Sequence, residues 1–115
     1  MLSAVSNAVV RSYRVALGRG PTRVRAVQAS GDVLLCILQD TLTPAERRLV
    51  ALGEHEQVRL ARALLVRSME DDLRDAVQAA SRRRVSAVIS GFNPWEDTAT
   101  ELFLLHPEEE EPPRR

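Results

Sequence analysis

The stretch Leu17-Gly18-Arg19-Gly20-Pro21-Thr22-Arg23-Val24-Arg25 is where residue type and spacing come closest to chemistry in this chain. Guanidinium groups hold oxyanions through paired donors in a fixed fork, and glycines let a backbone turn sharply beside a ligand. Arg11, Arg14, Arg19, Arg23 and Arg25 all precede Asp32, the first acidic residue, so residues 1–31 carry a side-chain charge of +5. The chain as a whole is neutral, with 16 basic and 16 acidic residues. Phosphate loops run strand, loop, helix, and offer the anion a helix amino terminus. Here the order is helix, loop, strand, and the negative end of the helix dipole borders the turn. That argues against nucleotide binding. Two readings of Arg19, Gly20, Thr22, Arg23 and Arg25 stay open: a docking corner for an anion, headgroup or acidic partner, or a structural turn with solvated arginines.

The second candidate is the loop Phe92-Asn93-Pro94-Trp95-Glu96-Asp97, which holds the only tryptophan. Tryptophan and arginine dominate binding hot spots, so Asn93 and Trp95 join the candidate binding residues. The competing reading folds Trp95 back as a lid on the core. Nothing specifies a reaction. His55 and His106 lack ligand spacing, and Asp71, Asp72 and Asp75 lie among arginines on one helix. Cys36, alone in its type, sits inside the apolar run Val33–Leu38 and reads as a buried, inert thiol. We therefore expect no catalytic residue, no metal, no cofactor and no enzyme. Zero net charge provides no field that favours nucleic acid. One cysteine excludes an internal disulfide and fits a reducing cytosol. No apolar run approaches the ~20 residues of a membrane span. The acid-free amino end reads as a first helix, not a transit peptide.

These residues must be placed by elements whose signals are local. Leu2, Val5, Val9, Tyr13 and Ala16–Leu17 recur at helical steps. Gly18 suits the left-handed residue that closes a helix, and Pro21 prevents resumption. Arg23–Ala29 and Val33–Gln39 predict a hairpin, with Gly31 supplying a positive φ in its turn. Arg23 and Arg25 fall on one side of the first strand. Thr43-Pro44-Ala45-Glu46 is a capping box with proline at the first helical position. It starts a short helix over Pro44–Leu52 that stops at Gly53. A longer helix is predicted from His55 to Ala80, its buried stripe being Val58, Ala61, Leu65, Met69, Leu73, Ala76 and Ala80. Arg67–Asp71 and Glu70–Arg74 are its expected surface ion pairs. Val85–Ser90 and Ala99–Leu105 are the last two strands. Residues 107–115, acidic and proline-rich, read as a disordered tail after a single domain over 1–106. There is no internal sequence repeat. The order α-β-β-α-α-β-β defines an α+β two-layer sandwich with helices against a four-stranded, mainly antiparallel sheet.

Ser6–Arg11, Gly18-Arg19-Gly20-Pro21-Thr22, Leu42-Thr43-Pro44-Ala45-Glu46 and Thr100-Glu101-Leu102-Phe103-Leu104-Leu105 together resemble the MpsC-like family across about residues 2–105. These are small bacterial domains named for a component of a sodium-translocating, membrane-potential-generating system. Where that family's pattern carries a histidine and an Asp-Pro-Asp-like segment, this chain has Asn93 at about the histidine's place and keeps Asp97. The resemblance implies an accessory role beside a membrane complex that handles cations or inorganic carbon. It carries over no catalytic residue. The expectation is a cytoplasmic, non-enzymatic interaction domain, peripheral to the membrane, whose protein partner is a membrane transport complex or whose target is an anionic surface. The alternative is a regulatory domain binding a small anion between the Gly-Pro turn and the Trp95 loop. Self-assembly as a homodimer through an exposed edge strand is a third.

Overall fold

The computed structural model describes residues 1–108; the predicted tail beyond Glu108 lies outside the described residues. The elements are α1 (Leu2–Leu17), β1 (Arg23–Ser30), β2 (Val33–Gln39), α2 (Pro44–Ala51), α3 (His55–Ser68), α4 (Glu70–Ser81), β3 (Val85–Asn93) and β4 (Thr98–Leu105). The four strands form one antiparallel sheet in the order β1-β2-β4-β3. This is the expected α+β sandwich with one more helix than predicted.

The extra helix comes from a break at Met69, which closes α3 and precedes α4. The apolar period runs on through Leu65, Met69 and Leu73, so spacing alone conceals the break. Tertiary packing accompanies it: both helices lie on β3, and α4 also packs against α1. The buried positions of α3 are Val58, Arg62 and Val66, followed by Met69, Leu73 and Val77. Leu65 is 46% exposed, and Ala61 is exposed as well, so the predicted stripe is displaced by one residue here. Within α4 Arg74 pairs with Asp71 at 3.2 Å. Neither predicted i,i+4 pair is among the ion pairs of the described residues.

Alternation in β2 and β4 sends Leu34, Cys36, Leu38, Ala99, Phe103 and Leu105 toward the helices. There they meet Val5, Val9 and Tyr13 of α1 and Leu73 and Val77 of α4. The helices occupy one face of the sheet, and no element among the described residues covers the other face. Gly18 closes α1 at φ 81° as predicted, whereas Gly31 does not take a positive φ. Gly20 is needed for a different reason: a Cβ there would stand 3.2 Å from Val10 Cγ1, where the chain crosses α1 closely.

Although the sequence has no repeat, the connectivity α-β-β occurs twice, as α1-β1-β2 and α4-β3-β4. Each helix ends in a left-handed residue, Gly18 or Arg82. The next residue in each half is an arginine that reaches back to carbonyl groups just past the second strand of its own hairpin. Arg19 holds Asp40 and Leu42, and Arg83 holds His106.

Candidate functional site

At one end of the sheet two of the sequence-predicted residues, Arg19 and Thr22, are brought together by a carboxylate of the chain itself. Arg19 donates to the carbonyl oxygens of Asp40 at 2.8 Å and Leu42 at 2.7 Å, and to Asp40 Oδ2 at 3.3 Å. Thr22 Oγ1 donates to the same Oδ2 at 2.9 Å, and Arg47 Nη2 reaches Oδ1 at 2.5 Å. The Gly-Pro turn therefore already binds an anion, and that anion is the chain's own Asp40. The hydrogen bond from Thr22, followed by that from Arg19 and the charges of Arg19 and Arg47, holds the Asp40 carboxyl below its ordinary range.

A second aspartate continues the chain of contacts. Asp97 Oδ1 accepts from Thr41 N–H at 2.8 Å, Leu42 N–H at 3.1 Å and Thr41 Oγ1 at 3.2 Å. Asp40 N–H in turn donates to the Asp97 carbonyl at 3.2 Å. Both aspartates sit at positive φ, 58° and 47°, a conformation that their short polar side chains tolerate. Below them lies Arg62, fully buried. It donates to Thr41 Oγ1 at 3.1 Å, to the Thr41 carbonyl at 3.0 Å and to both oxygens of Glu46, and its guanidinium lies 4.2 Å from the Phe92 ring centroid. Glu46 also completes the predicted capping box with Thr43, both halves of which are present. Burial alone would raise the Glu46 pKa; the hydrogen bonds and charge of Arg62, with the Thr43 amide, outweigh it and hold the carboxyl below its ordinary range.

A separate buried group, Glu101, faces the helices from β4. It accepts from Tyr13 Oη at 2.7 Å and from Ser90 Oγ. Burial, only partly offset by these two bonds, pushes its carboxyl up to about 7. Cys36 is its neighbour across the strands, fully buried, with its thiol pushed up to about 12 by burial and by Glu101. Sequence alternation already put Glu101 on the Phe103 face. Arg62 was missed, although its place four residues from Val58 and from Val66 marks it as inward-facing.

The remaining predicted residues are distributed over two faces. Val24 and Ala26 turn toward the core, so Arg23 and Arg25 stand exposed on the uncovered face of the sheet. Arg11 and Arg14 are exposed on the outer side of α1, across the sandwich. The five arginines thus do not form one patch: Arg19 is bound inward, and two pairs point to opposite sides. Cross-strand register places Arg23, Gln39, Thr98 and Asn93 in one row, with Arg25, Ile37, Thr100 and Gly91 in the next. Arg23 and Asn93 share a row but stand at opposite edges, roughly 14 Å apart by strand spacing. Asn93 Oδ1 accepts from the amides of Trp95 and Glu96, shaping its own turn. Trp95 is 60% exposed and stacks on His55 with ring centroids 5.2 Å apart. The space between the Gly-Pro turn and the Trp95 loop is bridged by Asp40–Leu42.

Among the described residues, no buried side-chain nitrogen or oxygen lacks a hydrogen-bond partner, and no cluster of three or more His, Cys, Asp or Glu is placed to hold a metal. No described helix is long and apolar enough to cross a membrane. A family model described as "Na+-translocating membrane potential-generating system (MpsC)" matches residues 1–107. The chain belongs to the MpsC family. Comparisons with curated proteins and with solved structures returned no match. The MpsC match spans every element above, from α1 to the end of β4.

Proposed function

We propose that this MpsC domain is a non-enzymatic accessory module at the cytoplasmic side of a membrane system that transports cations or inorganic carbon. It holds its partner through arginines of its amino-terminal part. One observation carries the reading: Arg11, Arg14, Arg23 and Arg25 are exposed and pair with no carboxylate among the described residues, while the described buried polar side chains all have partners within the fold. Exposed guanidinium groups suit an acidic protein surface or lipid phosphates. The family description supplies the membrane-potential context.

The test compares wild type with Arg11→Gln/Arg14→Gln and Arg23→Gln/Arg25→Gln. Co-sedimentation is measured with membranes bearing the sodium-translocating system and with vesicles of anionic lipid. At low salt at least one pair should weaken association several-fold, and 1 M salt, where the Debye length falls to about 3 Å, should weaken the wild type too. Association unchanged by both pairs and by salt would overturn the proposal.

The anion-binding alternative rests on a smaller set. Arg23 and Arg25, with Gln39 and Ile37, line a shallow hollow that contains no acid. Titration with bicarbonate or phosphate, followed by NMR shifts of the Arg23 and Arg25 amides, would show a saturable change on that reading.

A further inference from the structure

The uncovered face of the sheet has a pattern that fits itself. Its apolar row is Val27, Leu35, Leu102 and Ile89 across β1, β2, β4 and β3, with Val33 and Leu104 beside it. Val27 is 42% and Ile89 54% exposed at the two edges. An antiparallel sheet that faces water normally alternates to polar residues on that side. Here the polar positions are confined to one end. At that end the charges are split between edges. Arg23 and Arg25 stand on β1, while Glu96 borders the hollow over Gly91, Asn93, Thr98 and Thr100 at the β3–β4 hairpin.

We propose that a second copy of this chain covers the face, related by a two-fold axis parallel to the strands. That axis lays β1 of each copy over β3 of the other and keeps the polar ends together. Val27 then meets Ile89, Leu35 meets Leu102, and the Arg23–Arg25 edge meets the Glu96 hairpin. Arg25 comes over Gly91, the position in its row with no side chain. An in-plane axis across the strands would instead turn the arginines of one copy onto the apolar row of the other, which leaves charges buried without partners. Strand rise and spacing make the face roughly 19 by 24 Å. Closing two such faces buries on the order of 1,000 Å² or somewhat more, at the lower end of specific interfaces. The helices of both copies stay outermost, so Arg11 and Arg14 remain exposed to that partner while Arg23 and Arg25 are engaged by the second copy; this proposal goes beyond the partner reading and does not depend on it.

Sedimentation equilibrium at ~100 µM protein tests the pairing, and a cross-linker tests the axis. Wild type should show twice the 12.8 kDa chain mass. Val27→Glu/Ile89→Glu should sediment as a monomer with an unchanged circular dichroism spectrum. Because these are exposed edge positions, the fold should persist; Arg23→Glu provides a second disruption that leaves the apolar row intact, and Glu96→Arg in the same chain should restore the dimer. Val27→Cys/Ile89→Cys, treated with a short bismaleimide, should give cross-linked dimers, whereas Val27→Cys alone should not. A monomeric wild type, or a dimer indifferent to the Val27→Glu/Ile89→Glu and Arg23→Glu changes, would overturn the proposal. Cross-linking by Val27→Cys alone would overturn the axis.

Discussion

Arg62 and Glu46 meet inside the domain at two points, Nε to Oε2 at 2.9 Å and Nη2 to Oε1 at 2.5 Å, although 16 residues separate them in sequence. The pair ties α3 to the cap of α2, and its two members serve other roles as well. Glu46 caps its own helix, and Arg62 holds Thr41 while lying over Phe92. The loop that carries Asp40 is thereby fixed from below, and through Thr41 it holds the Asp97 turn of the β3–β4 hairpin.

Removing one partner of a buried pair leaves the other charge without compensation, at a typical cost of about 3–5 kcal/mol. Arg62→Ala should lose that much in urea unfolding, a large part of the 5–15 kcal/mol typical of a domain. Arg62→Lys keeps the charge but not the fork, and should lose more than half as much. An Arg62→Ala protein within 1 kcal/mol of wild type would mean that the pair does not hold the loop.

The amino-terminal arginines should separate by variant. Arg19→Gln forfeits its bonds to Asp40 and Leu42, and we expect a loss of about 1–3 kcal/mol. Arg23→Gln/Arg25→Gln removes no group partnered within the chain and, at a protein concentration low enough to keep the chain monomeric, should fall within about 0.5 kcal/mol of wild type. Thermal unfolding measured on the three proteins checks both expectations. Equal losses would show that Arg23 and Arg25 are held by partners within the chain, as Arg19 is.

Asp97 offers a cleaner contrast. Asp97→Asn retains an acceptor at Oδ1 and tolerates the left-handed backbone, so it should cost little. Asp97→Ala leaves the Thr41 and Leu42 amides without their acceptor, at about 1–3 kcal/mol for a buried donor, and adds backbone strain. Hydrogen exchange at Thr41 and Leu42 should accelerate in Asp97→Ala and stay slow in Asp97→Asn.

What the sequence disclosed follows the range of each interaction. The Thr43–Glu46 cap, the Gly18 stop and the strand over Ala99–Leu105 are decided within a few residues, and each is found where expected. The Met69 break accompanies the packing of α4 against α1, which no local period encodes. The same holds for Arg19: its partner, Asp40, is brought beside it only when β1 and β2 pair. Arg62 lies on the buried stripe of α3 between Val58 and Val66, a place where arginine is rare unless paired, and its partner Glu46 is not local. Trp95 was visible as an exception, but its stacking on His55 needs the hairpin and α3 together.

Glu101 should give the domain a pH dependence opposite to that of a surface carboxylate. Burial raises its pKa from 4.5 to about 7, with Tyr13 and Ser90 donating to it from α1 and β3. Burial, reinforced by this carboxylate, also raises the Tyr13 phenol above its ordinary range. Below pH 4.5 both folded and unfolded chains carry the Glu101 proton, and its contribution to stability is fully present. As pH rises toward 7 the unfolded chain loses the proton first, so stability falls across that window and levels off above it. The span is on the order of 3 kcal/mol. Glu101→Gln stays neutral at every pH while keeping a hydrogen-bonding amide. It should flatten the decline between pH 5 and 7 and unfold at a higher temperature than wild type at pH 8. If wild type and Glu101→Gln show the same pH profile, the buried carboxyl is not the group that titrates.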